Sequence, residues 1–213
     1  MNGLRPHRRS LRAFSLLELL SAMAVISMLA VVTLPALRGT LDGIAISGAA
    51  EVTAAELALA RQTAISRNLP VDVRIYRHDD GNGPAWRMVA LVIPASASGR
   101  SADEWLTNGR VLPAGVVFED SNEFSTVLST EANDPSVSPW RATEGSEAPP
   151  LLRNKDYVGF TFRPNGSTGL DGTAAWCLTL KNPRAQGTES APAANFVSIV
   201  LDALTGRTLT YQP

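Results

Sequence analysis

The chain has a single cysteine, Cys177. That excludes an intrachain disulfide and a cysteine-built zinc site. A lone cysteine in an apolar stretch reads as a small buried hydrophobe. Basic charge is also scarce once the first residues are set aside. Of 19 lysines and arginines, Arg5, Arg8, Arg9 and Arg12 lie in residues 1–13, with no acidic residue among them; the rest holds 15 basic against 20 acidic residues, net −5. Such a chain has no basic footprint for nucleic acid, so none is expected as a partner. After residue 13 the sequence has one histidine, His78, beside Asp79 and Asp80 in an expected loop. No Gly-x-Ser-x-Gly, P-loop, dinucleotide fingerprint or His-Glu-x-x-His occurs. The glycine-rich "PNGSTGLDG" follows one expected strand and opens another, whereas phosphate loops open a helix. "DDGNG" (Asp79 to Gly83) lacks EF-hand spacing and reads as a turn. No catalytic, cofactor or metal residue is assigned, and an enzyme is not expected.

Charge is missing again between Arg12 and Arg38, where Glu18 is the only ionisable side chain. Phe14 to Leu37 is an apolar run of 24 residues. As a helix it would be roughly 36 Å long, against about 30 Å of bilayer hydrocarbon. The arginines before it would remain cytoplasmic and everything after Arg38 would lie across the membrane. A secretory signal peptide is a poor match, because its apolar core is usually about 7–15 residues and carries no carboxylate. A plain signal anchor would leave Glu18 without a purpose, although a charge in mid-membrane costs roughly 3 kcal/mol.

Beyond the run, "AAEVTAAELALARQTAISRN" is rich in helix formers. Its apolar face is expected to hold Ala50, Ala54, Leu57, Ala58 and Ile65, interrupted by Arg61, with Val52 and Leu59 opposite. Pro35 should kink the helix, Gly39 and Gly43 should loosen it, and Asn68 and Pro70 should end it. Strands are expected at Val71–Tyr76, with Val71, Val73 and Ile75 on one face, and at Trp86–Ile93, Gly115–Phe118, Tyr157–Phe162, Ala174–Leu180 and Asn195–Asp202, followed by "RTLTYQ". Glu119 to Asp156 has little periodicity and reads as a long, mobile loop with an edge strand near Phe124 to Leu128. Trp140, Phe124 and Leu128 within it are expected either to dock on a partner or to cover the domain's own sheet. The class is α+β: a long N-terminal helix, half transmembrane and half amphipathic, on an antiparallel β-sandwich.

"RAFSLLELL" resembles the N-terminus of type IV pilins and pseudopilins, whose basic leader is cut before a Phe or similar residue. "AELALARQTAISRNLPV", "FRPNGS" and "LDALTGR" resemble the H-type minor pseudopilins of type II secretion, the general secretion pathway protein H family. The resemblance touches both ends of the chain, and Glu119 to Asp156 takes no part in it. It implies a pilin-like fold with a leader at residues 1–13, a transmembrane helix at 14–37, its continuation at 38–69 and a periplasmic β-rich domain at 70–213. It implies cleavage between Ala13 and Phe14, with Ala13 where the family usually has Gly, and N-methylation of Phe14. It implies that Glu18 of one subunit meets the Phe14 amine of the next during assembly, and that Pro35 is the proline common in this family's helix. The implied partners are major and minor pseudopilins, a prepilin peptidase that also methylates, an inner-membrane assembly platform and membrane lipid. The implied site is the inner membrane and a periplasmic pseudopilus, near its tip. A minor type IV pilin serving adhesion or DNA uptake is the alternative; the net charge, the non-basic tail "TYQP" and the missing cystine loop weigh against it. A membrane-anchored periplasmic enzyme or binding module is a third reading.

Overall fold

The structure, a computed structural model, describes residues 15–212 except 82, 122, 133, 135, 136 and 186–194; for residues 32–38 it describes the backbone alone. The chain divides into two compact units, Met1–Leu41 and Asp42–Pro213. In the first, the described residues form the start of helix α1, which spans Leu16–Arg67. One helix is thus long and apolar enough to cross a membrane. Within it two stretches are apolar. Gly39–Arg67 meets the length and hydropathy of a span, but its apolar face is already occupied by the domain core. Leu16–Val31 is shorter as described, yet its side chains face outward, with Leu16 81% and Met28 76% exposed.

In the second unit α1 packs on antiparallel strands. β1 (Val71–Asp79) and β2 (Pro84–Ile93) form a hairpin. Its turn is held by the Asp79 carboxylate, which accepts from the Gly81 and Gly83 amides at 2.8 and 3.0 Å. Then come a short helix α2 (Ala95–Ser98), β3 (Glu104–Trp105), β4 (Arg110–Val111), β5 (Val117–Phe118), a 3-10 turn at Thr126–Ser129, β6 (Trp140–Thr143), β7 (Asp156–Phe162), β8 (Trp176–Lys181), β9 (Val197–Leu201) and β10 (Thr208–Tyr211). The larger sheet runs β3-β2-β1-β7-β6, with β4 also on β2; the smaller runs β10-β9-β8-β5.

Val71, Val73 and Ile75 lie on one face of β1, as their alternation predicts. They share one core with Leu178, Leu180, Val197, Ile199 and Leu201 of the small sheet and with the inner face of α1. That helix face differs from the expected stripe. Ile46, Ala49, Ala50, Thr53, Leu57, Ala60 and Ala64 are buried, whereas Ala58 is exposed and Ile65 is 40% exposed. Alanines occur all round this helix, so periodicity could not choose between neighbouring faces. The buried face is the one whose small residues recur at three- and four-residue spacing, letting the strands approach closely. Helix α1 ends at Arg67, and Asn68 follows with φ 52°, the left-handed conformation that closes many helices.

Residues 119–156 differ from the unanchored loop their composition suggests. Within them β6 pairs with β7 at the edge of the larger sheet, and residues 126–129 form a 3-10 turn where an edge strand was expected. Val127 and Leu128 enter the main core. Trp140, Ala148 and Leu152 join Tyr76, Met88, Ala90 and Tyr157 in a second core on the other face of the sheet. Trp140 is 2% exposed, so of the two uses expected for it the structure has the indole covering the domain's own sheet. Its ring lies against Gly159, where a Cβ would come 2.7 Å from Cζ2. Phe124 is half-buried. Isolated anchors at irregular spacing leave no period to read, which is why the segment looked structureless.

Candidate functional site

Ala13 and Phe14, the expected cleavage and methylation residues, lie outside the described residues. Glu18 is in the first turn of α1 and exposed. Ser15 starts the helix: its hydroxyl and carbonyl oxygens accept from the Glu18 amide at 3.2 and 3.1 Å. This is N-terminal capping, and it puts a carboxylate where the helix dipole favours negative charge. Among the described residues the Glu18 carboxylate has no partner. At Pro35 the backbone is helical and unbroken; the side chains at 32–38 lie outside the described residues.

Arg61, which appeared to interrupt an apolar stripe, has a definite task. Its Nε donates to the Thr205 carbonyl at 3.0 Å and to the Gly166 carbonyl at 3.3 Å. Gly166 belongs to the turn after β7 and Thr205 to the turn between β9 and β10. Both turns need left-handed glycine: Gly166 has φ 85° and Gly206 φ 64°. Thr168 ties the same two turns together, its amide and hydroxyl donating to the Ala203 carbonyl at 2.9 and 3.0 Å. The three internal segments quoted above, around Arg61, Gly166 and Gly206, therefore meet at one point.

A second polar cluster sits on the outward face of β1 under residues 140–148. Arg74 is buried. Its guanidinium reaches Glu144 at 3.0 Å, Asp103 at 2.9 Å and Asp72 at 3.4 Å, and lies over the rings of Tyr157 and Trp105 at 5.1 and 5.5 Å. The Tyr76 hydroxyl donates to Glu144 at 2.7 Å. Burial by itself would lower the Arg74 pKa, but Tyr157, Glu144, Tyr76 and Asp72 more than reverse this and hold it raised. Burial raises Asp72, against hydrogen bonds from Thr161 and Arg74 that lower it. Burial and then the bond to Glu144 raise Tyr76. The cluster fastens Asp103 and Glu144, from two loops, onto one strand, and losing Arg74 would leave buried carboxylates unpaired. The alternation of β1 puts Asp72 and Arg74 on the face opposite Val71, Val73 and Ile75. Trp140, expected either to dock on a partner or to cover the domain's own sheet, lies in the second core beside this cluster.

His78 is not in a loop but in the last part of β1, paired with Ala85. Burial, then Lys155 and Arg87, lower its pKa. Cys177 is half-buried in β8, its Sγ 3.5 Å from the Phe124 carbonyl oxygen. Among the described residues no three His, Cys, Asp or Glu side chains gather as a metal site. Comparison with protein-family models, with curated proteins and with solved structures found no match.

Proposed function

We propose that the chain is a minor pseudopilin of a type II secretion system, a structural subunit near the tip of a periplasmic pseudopilus that drives protein export across the outer membrane. One observation carries the reading. An outward-facing apolar helix bears in its first turn a single carboxylate that has no partner among the described residues, and the same chain continues into a separate compact unit with its own core. A lone exposed carboxylate on a lipid-facing helix is costly unless another chain supplies a cation. Cleavage before Phe14 would create that cation as an amine four residues from Glu18. Pairing between neighbouring subunits would neutralise both charges and fix their axial register. The meeting of the three H-type segments at Arg61 supports the narrower assignment, because it gives all three one physical reason to occur together. In this reading the N-terminus is cytoplasmic, the span lies in the inner membrane and the Asp42–Pro213 unit is periplasmic.

The direct test is the intact mass of protein extracted from membranes of cells that carry a prepilin peptidase. The expected mass lacks residues 1–13 and includes one added methyl group. A mass retaining the leader, or a cut beyond Pro35, would overturn the reading.

A further inference from the structure

On the larger sheet, β1, β2, β6 and β7 together line a cavity of about 230 Å³ whose walls include Arg77, Trp86, Arg141, Thr143, Asp156 and Tyr157. Sites for drug-sized molecules run to about 300–1,000 Å³, so this one suits a single side chain or a small acid. Two guanidiniums stand over one indole. Arg77 Cζ is 4.8 Å and Arg141 Cζ 5.7 Å from the Trp86 ring centroid. Arg77 pairs with Trp86 across β1 and β2, and Arg141 belongs to the edge strand β6. One carboxylate answers them: Asp120 accepts from Arg77 Nη2 at 3.0 Å and from Trp86 Nε1 at 2.9 Å. Arg141 is half-buried and has no carboxylate at ion-pair distance among the described residues. Its Nη2 donates to the Leu128 carbonyl at 2.9 Å and its Nε to the Thr130 carbonyl. Its direction is therefore fixed while its charge is left unanswered. Donors remain for a ligand. Arg77 Nε and Nη1 and Arg141 Nη1 make no hydrogen bond among the described residues, and none of the three is a buried atom.

Two cations with free N–H donors call for an anion. Guanidinium donors match the paired oxygens of a carboxylate or a phosphate. The rim chooses between these. Asp156 is exposed, accepts from the Thr143 hydroxyl at 2.8 Å and lines the same cavity. It repels a phosphate dianion more strongly than a monoanion. Trp86 and Tyr157 give the carbon part of a ligand an apolar wall. We propose that this cavity binds a single carboxylate, which accepts from Arg141 Nη1 and from the free donors of Arg77. The shared chemistry is one carboxylate on a short carbon chain. It comes either from an aspartate or glutamate side chain of a partner protein or from a free small carboxylic acid. The inference lies wholly within the Asp42–Pro213 unit and is independent of the reading of the N-terminal helix.

The test uses the full chain in detergent, with isotope-labelled arginine, and follows the arginine Nε–H signals by NMR at constant ionic strength. The probes are sodium acetate, inorganic phosphate as its dianion, the peptide acetyl-Ala-Glu-Ala-amide and its glutamine counterpart. Acetate and the glutamate peptide should shift the Arg77 and Arg141 signals saturably, and the glutamine peptide should leave them in place. Phosphate should bind about ten-fold more weakly than acetate, the scale of one like-charge contact. Asp156→Asn should remove that discrimination, and its exposed side chain lets the fold survive the change. Arg141→Gln should abolish saturation at the Arg77 signal. Arg141 also holds two loop carbonyls, so Arg77→Gln serves as the second variant and should abolish saturation at the Arg141 signal. A glutamate peptide that binds more tightly than acetate assigns the carboxylate to a partner chain; acetate binding as tightly or better assigns it to a free acid. Shifts that rise without saturation, an equal response to the glutamine peptide, or saturation unchanged in both arginine variants would overturn the site. Phosphate binding as tightly as acetate to the wild-type protein would overturn the carboxylate assignment.

Discussion

Gly206 shows how much one position can decide. Its φ of 64° lies where a side chain costs about 1–2 kcal/mol. A Cβ there would also fall on the Gly166 carbonyl oxygen, well inside contact distance, and 3.0 Å from Phe162 Cε1. That carbonyl is one of the two that Arg61 holds. Gly206→Ala should therefore separate the two turns and loosen their hold on the helix. We expect a loss of more than about 2 kcal/mol, strain and clash together, measured by urea denaturation of the Asp42–Pro213 unit. Arg61→Gln in the same assay should weaken the Gly206→Ala effect, because the two changes share one junction. Additive losses would show that the junction is not a unit. The sequence displayed the glycines and the arginine. That the two turns share one donor could not be read, because the contacts join residues 105 and 144 positions apart.

At the scale of elements, the segment from Glu119 to Asp156 carries the clearest difference between expectation and fold. Four-residue β6 adds an edge strand, and Trp140 seals the second core over Tyr76 and Met88. Trp→Ala in a core typically costs about 3–5 kcal/mol. Trp140→Ala should cost at least the lower end of that range, since the ring also fills the space over Gly159. Hydrogen exchange should find the amides of residues 140–143 that bond to β7 protected in the wild-type protein. In the variant they should exchange faster while β8 and β9 keep their protection. Fast exchange at 140–143 in the wild-type protein would contradict the seal. The Arg74 cluster makes the same point. Asp72, Arg74 and Tyr76 alternate with Val71, Val73 and Ile75, so their common face was legible. What covered that face was not, because the cover comes from residues 103, 140, 144 and 148, each isolated in a polar context.

The whole molecule joins two environments in one chain. Its outward-facing apolar side chains, Leu16, Leu19, Met23, Ile26 and Met28 among them, are 57–81% exposed and precede Asp42. The buried core residues follow it, from Ile46 to Ala203. A chain beginning at Gly43 keeps every described strand and the whole buried face of α1. It should be soluble, monomeric and folded, with a cooperative thermal transition and a circular dichroism spectrum of mixed helix and antiparallel strand. An aggregated or unfolded product would mean that residues before Gly43 are needed to stabilise the unit.

Local chemistry decided what the sequence alone could determine. The apolar run interrupted only by Glu18, the end of α1 at Asn68, the alternation of β1 and the glycine turns after β1 and β7 each depend on neighbours within a few residues. Periodicity, capping and backbone sterics act over that range. The tertiary structure decided the rest. It chose which face of an alanine-rich helix is buried, because several faces were equally apolar and only the opposing strands broke the tie. It turned residues 119–156 from a polar loop into the cover of a second core, because a few large side chains found an unfilled sheet face. It brought Arg61 to two distant carbonyls. Contacts between residues so far apart in sequence have no periodic trace, since they arise from the packing of finished elements and not from the order in which the chain presents them.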